Sequence, residues 1–116
     1  MTAEMTALFT VFSVTDQKAS SSWYEVLFNR PADQVIGDEL MWMISESAWL
    51  VSRQEPGRAG GGEVTMEVRG LDRILTRVDA VQSDRDPVET YSNGVRHVVI
   101  RDPDGNRIAL AAPPEA

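Results

Sequence analysis

The sequence predicts an α+β domain built from two modules that share one order of elements: a strand, a helix and then three strands. Three observations carry this. Apolar residues switch from a two-residue to a helical period and back, and they do so twice along the chain. A glycine-rich stretch at residues 55–62 lies between the two occurrences. The second occurrence ends on a proline–glycine turn, Asp102-Pro103-Asp104-Gly105-Asn106, suited to join a final hairpin. With 116 residues the chain is read as one domain, residues 1–116, with module one at about 7–53 and module two at about 63–112.

In the first module Ala7 to Val14 reads as a strand, supplied with Phe9, Val11, Phe12 and Val14. Thr15 or Asp16 is placed to cap a helix reaching about Phe28, with Ala19, Trp23, Val26 and Leu27 as its apolar stripe. Asn29-Arg30-Pro31 stops it. Three short strands follow at Asp33 to Ile36, Leu40 to Ser45 and Ala48 to Arg53. Beyond the linker, Val64, Met66 and Val68 alternate with polar residues as in a half-buried strand. Leu71, Ile74, Leu75 and Val78 then mark a helix, and Arg69, Arg73 and Arg77 recur on one face of it, read as a solvated stripe paired with Asp72 and neighbouring acids. Pro87 to Tyr91, Val95 to Arg101 and Arg107 to Ala112 complete the second set of strands.

Composition narrows the function. The net charge is −7, from 18 acidic against 11 basic residues, and Lys18 is the one lysine. A nucleic-acid partner would reward a basic face, so none is expected; an acidic cleft suits a cationic ligand instead. With no cysteine, there is no disulfide framework, thiolate metal site or thiol nucleophile to expect. No apolar run is long enough for a membrane span and the N-terminus lacks the pattern of a signal peptide, so no membrane partner and a cytoplasmic location are expected. Gly60-Gly61-Gly62 lacks the downstream lysine of a phosphate loop, and Ser20-Ser21-Ser22 has no histidine or aspartate arranged around it.

The segment Arg101 to Ile108 resembles the C-terminal signature of the vicinal oxygen chelate superfamily, which includes glyoxalases, bleomycin resistance proteins and extradiol dioxygenases. Ser13-Val14-Thr15-Asp16 followed by Trp23-Tyr24 is similar to that superfamily's first strand and helix, and Val64 to Leu75 to the start of its second module; the likeness spans Leu8 to Ala112. The resemblance implies curled mixed sheets that form a cleft, helices on the outer face, and a homodimer whose clefts draw on both subunits. It also implies metal-ligand positions at Phe9, Glu63 and Ala109. Phenylalanine and alanine offer no lone pairs to a divalent cation, so neither a metal, another cofactor nor a catalytic residue is expected.

A small-molecule ligand is expected in the metal's place. If Phe9 faces the cleft, strand parity puts Glu63, Thr65 and Glu67 there too, with Ala109 leaving space. The hairpin carrying Trp42 and Trp49 is apolar at both parities and needs a cover on each side. The expected binding set is therefore Phe9, Trp42, Trp49, Glu63, Glu67 and Ala109: the tryptophans stack on a planar or cationic molecule and a glutamate meets its charge. Sequestration of an antibiotic or toxic metabolite is the concrete form of this expectation. The alternatives are a metal-dependent lyase or isomerase using atypical ligands such as Glu63 and His97, and a structural dimer that consumes the apolar hairpin.

Overall fold

A computed structural model describes residues 2–81 and 84–115. The first module comprises β1 (Leu8–Val14), α1 (Gln17–Phe28), β2 (Gln34–Ile36), β3 (Glu39–Ser45) and β4 (Ala48–Gln54). The second comprises β5 (Glu63–Glu67), α2 (Leu71–Val81), β6 (Glu89–Thr90), β7 (Arg96–Arg101) and β8 (Arg107–Ala112). Each module forms one four-stranded mixed sheet, ordered β1-β4-β3-β2 and β5-β8-β7-β6. In both, the first strand runs parallel to the last and the other pairings are antiparallel. The repeat seen in the sequence is thus a repeat of topology.

Local chemistry sets the element ends. Asp16 caps α1, its side chain accepting from the Lys18 and Ala19 amides. Asn29 closes the helix in the left-handed region, at φ 56°. The buried side of α1 is Ser20, Trp23, Tyr24 and Leu27, which corrects the expected stripe: Ser20 and Tyr24 turn inward where Ala19 and Val26 were anticipated. The cause is a polar one, since the Tyr24 hydroxyl has a buried partner to reach.

Helix-facing residues from both modules merge into a single core. Phe12, Tyr24, Leu27, Trp42 and Leu50 of the first module pack in one cluster with Leu71, Leu75, Ile100, Ile108 and Leu110 of the second. The α2 stripe is corrected as well. Arg77 is not solvated and paired with acids; its Nε and Nη2 donate to the Val26 and Leu27 carbonyls at 3.0 and 2.9 Å. It therefore serves the C-terminal end of α1, where a cation offsets unsatisfied carbonyls and the helix dipole. Asp72 pairs instead with Arg96 on β7, at 2.9 Å.

The final turn is the second clasp between modules. Asp102 and Asn106 are 1% and 0% exposed. One carboxylate oxygen of Asp102 accepts from the Asp104 and Asn106 amides, and the other from the Tyr24 hydroxyl and Asn106 Nδ2, all at 2.8–2.9 Å. Asn106 also donates to the Ser13 carbonyl at 3.0 Å and accepts from the Gly62 amide at 2.8 Å. The glycine-rich segment, expected to be a flexible linker, is drawn into this network: Pro56–Arg58 forms a 3-10 turn, and a Cβ on Gly62 would lie 2.5 Å from the Phe12 ring. The expected strand at Pro87 to Tyr91 shrinks to Glu89–Thr90, because Pro87 has no amide to donate and Tyr91 turns to bond Val95.

Removing one partner from a buried charged network strands the others. Asp102→Ala is expected to lower unfolding free energy by about 3–5 kcal/mol, measured by denaturant titration. Tyr24 yields a second expectation. Burial foremost, then the charge and hydrogen bond of Asp102, hold its hydroxyl well above the ordinary value of 10.0. The unfolded chain loses that proton first, so Tyr24's contribution to stability is intact below pH 10 and declines as pH rises further, by up to about 1.4 kcal/mol per unit. Tyr24→Phe is expected to remove this alkaline slope.

Candidate functional site

Strand parity divides each sheet into a face covered by its helix and an outward face. On β1, Phe12 and Val14 are buried against the core, while Phe9 and Val11 are 49% and 41% exposed. Register carries that outward face across the first sheet: Phe9 lies beside Trp49 and Met43, Val11 beside Val51 and Met41, and Ser13 beside Arg53 and Glu39. Phe9 and Trp49 stack with centroids 6.1 Å apart and planes 12° from parallel. Next to this aromatic pair Met43 is exposed, whereas Val51 and Met41 form a nearly closed floor. Arg53 and Glu39 close one end with an ion pair.

Trp42 does not belong to this surface. It is wholly buried on the helix side, in ring contact with Tyr24 and Phe28, and its Nε1 donates to the Arg30 carbonyl at 3.2 Å. The expectation that Trp42 and Trp49 stack on one ligand is therefore corrected. Seven residues apart across a tight hairpin, they sit at opposite parity: Trp42 pairs in register with Leu50, and Trp49 with Met43.

The outward face of the second sheet holds the polar candidates. Glu63 lies beside Arg107 and Arg101, Thr65 beside Ala109 and Val99, and Glu67 beside Ala111, His97 and Glu89. Ala109 lies in the uncharged row between the two charged ones, and Ala111 sits between Glu67 and His97, so the two small side chains form a low floor. His97, named in the sequence only as an alternative ligand with Glu63, is on this face and stacks on Tyr91 at 5.5 Å. Its position follows from register alone, because its partner Ala111 shares parity with Ala109.

The structure thus brings Phe9 and Trp49 together on one sheet, puts Glu63, Glu67 and Ala109 onto one face of the other, and lets Trp49 and Glu67 line a common recess between the sheets. Glu63 and Glu67 stand four residues apart, roughly 13 Å along the strand, so they cannot grip a single atom. The residues also fit a divalent cation poorly. Phe9 and Ala109 provide no donor, the neighbour of Glu63 in register is the cation Arg107, and Glu63 and His97 lie in different rows on separated strands. Among the described residues no three histidine, aspartate or glutamate side chains converge.

At the outer end of β3, Asp33 orders the hairpin. Its carboxylate accepts from Arg30 at 3.1 Å and from the Met43 amide at 2.7 Å, and these hydrogen bonds, Arg30's foremost, hold its pKa below the usual value.

No protein-family model matches the sequence, and no curated protein does. Solved structures do. The chain is similar to a glyoxalase/bleomycin resistance protein from Catenulispora acidiphila, with 32% identity, a TM-score of 0.82, and 93% of this chain and 98% of that one covered. In fold it is similar to a bleomycin resistance determinant encoded on the transposon Tn5, with 14% identity, a TM-score of 0.74, and 93% and 98% covered. It is likewise similar in fold to a lactoylglutathione lyase from Agrobacterium tumefaciens, with 19% identity, a TM-score of 0.71, and 90% and 91% covered.

The two hairpin tryptophans should respond oppositely to truncation. Trp42→Ala opens a cavity in the core and is expected to cost about 3–5 kcal/mol, while Trp49→Ala is expected to cost about 1 kcal/mol, both read from denaturant melts. Acrylamide quenching of the intact protein should diminish strongly on Trp49→Phe, since Trp23 and Trp42 are 5% and 0% exposed.

Proposed function

Because the chain belongs to the glyoxalase/bleomycin resistance family, within the vicinal oxygen chelate superfamily, we propose that it binds a small planar or cationic molecule without a metal. The observation that supports this reading is the outward-facing Phe9–Trp49 stack, with Phe9 exposed and Trp49 half-buried, at a position where the family resemblance implies a metal ligand. Rigid, adjacent rings give a flat ligand a large contact area at little entropic cost, and their faces attract positive charge.

The rest of the binding set follows from the second sheet. Ala109 and Ala111 leave room for a ligand ring, and Glu63 or Glu67 meets a positive group at its edge. One chain displays the aromatic wall and the acidic face on separate sheets. A homodimer would bring the wall of one protomer opposite the floor of the other, which is the arrangement proposed here. Sequestration of an antibiotic or toxic metabolite in the cytoplasm is the biological form of this reading, supported by the likeness in fold to the Tn5 bleomycin resistance determinant. No described helix is long and apolar enough to cross a membrane.

The test is a panel of planar cationic compounds, bleomycin-type glycopeptides included, followed by thermal shift and Trp49 fluorescence. A true ligand at 100 times its Kd is expected to stabilise the fold by about 2.7 kcal/mol. Phe9→Ala and Glu67→Gln are each expected to weaken binding about tenfold or more, and sedimentation should report a dimer. Stoichiometric zinc, nickel or iron in purified protein, or a panel without saturable binding, would overturn the proposal.

A further inference from the structure

A second recess lies along the seam between the modules, and it differs from the outward faces in both shape and charge. Its inner part, about 270 Å³, runs between β1, β4 and β5, with Leu8, Ile44, Leu50, Val64 and Met66 as apolar walls and Trp49, Thr65 and Glu67 on the side shared with the outward faces. Its outer part, about 420 Å³, shares Ile44, Met66 and Glu67 with the inner one, continues over Phe28 and Ile74, and ends at Arg30, Arg69 and Arg77. Leu8 and Ile44, which line this seam, are 69% and 41% exposed.

The charge at its mouth is opposite to that of the whole molecule. The chain carries net −7, yet three arginines and the single acid Glu67 line the outer recess. Two of the arginines are fixed. Arg30 bonds Asp33 and the Met43 carbonyl, and Arg77 bonds two α1 carbonyls, which orient its guanidinium without cancelling its charge. Arg69 has no ion pair or side-chain hydrogen bond among the described residues. Its planar fork of donors is therefore free to take a carboxylate or phosphate in two parallel bonds.

We propose that this seam binds an amphipathic anion, one acyl-chain-like molecule per chain, with the tail between Ile44, Val64 and Met66 and the acidic head on Arg69 and Arg77. The combined recess falls within the size of ordinary ligand sites. An apolar channel closed by cations selects such a molecule over a neutral or cationic one, because the head group trades water for charge-assisted bonds that only an anion can accept. The seam borders the outward-face site, with Trp49 and Glu67 lining its inner part, but Phe9 does not line the seam and Arg69 and Arg77 belong to the seam alone.

The test is isothermal titration calorimetry of the intact protein with dodecanoate, dodecanol and dodecyltrimethylammonium, each below its micelle concentration. Dodecanoate is expected to bind at one site per chain, at least about tenfold tighter than the ammonium compound. Arg69→Glu is expected to weaken dodecanoate about tenfold or more, Arg69→Lys far less, and Ile44→Asp to weaken it comparably to Arg69→Glu; circular dichroism checks that each variant folds. Phe9→Ala should leave dodecanoate affinity unchanged, and Arg69→Glu should leave the planar-cation response unchanged, so the two sites fail or stand separately. Equal affinity for anion and cation, or an Arg69→Glu variant that binds like the parent, overturns the proposal. So does a dimeric protein with no saturable binding, which would make the seam part of the contact between copies.

Discussion

The buried carboxylate of Asp102 is the constraint on which the arrangement of the two modules depends. A charge withdrawn from water is tolerated only if its acceptor sites are filled. Here four donors fill them, two from the backbone of its own turn, one from Asn106 and one from Tyr24. Three of these are local, and any well-formed turn could supply them. The fourth comes from α1, 78 residues earlier, and fixes the first helix against the last hairpin. Asn106 extends the same tie to β1 through Ser13 and to the glycine-rich segment through Gly62.

Arg77 complements that clasp from the other side. Asp102 holds the middle of α1 through Tyr24, and Arg77 holds its C-terminal end through two carbonyls. Because each link joins a polar group in one module to a buried polar group in the other, sliding the modules would strand several groups at once. The energy of the core is apolar and tolerant of small shifts, so these directed bonds specify the angle between the modules more sharply than the packing does.

The fold was legible because its signals are periodic and local. Alternation in Glu63 to Val68, the Leu71–Val78 spacing and the turn at Asp102 each declare an element without help from the rest of the chain. What was illegible depended on partners distant in sequence. Tyr24 turns inward for Asp102, so the α1 stripe departed from simple hydrophobicity. Trp42 and Trp49 are identical as residue types, and only the register of a hairpin carrying a bulge near Met43 decides that one is core and the other is surface. Phe9 stands on the outward face of β1, opposite in parity to the buried Phe12 and Val14, which agrees with the premise from which the other strand positions were counted. His97 could have been assigned to the outward face by the same counting from Ala109, through the final hairpin.

These features together separate what holds the fold from what varies on it. The clasping residues, Tyr24, Asp102, Asn106 and Arg77, all lie on the helix side or in the final turn. Phe9 and Glu63 lie at the opposite parity and project from the core. Phe9 is not part of the core cluster, so a substitution at position 9 leaves the core contacts in place. Such a change does alter the chemistry of the outward face, where Phe9 stacks on Trp49. Stabilising bonds and the outward face occupy opposite parities of the same strands, so membership of the family fixes the architecture and leaves the chemistry of that face to its particular side chains.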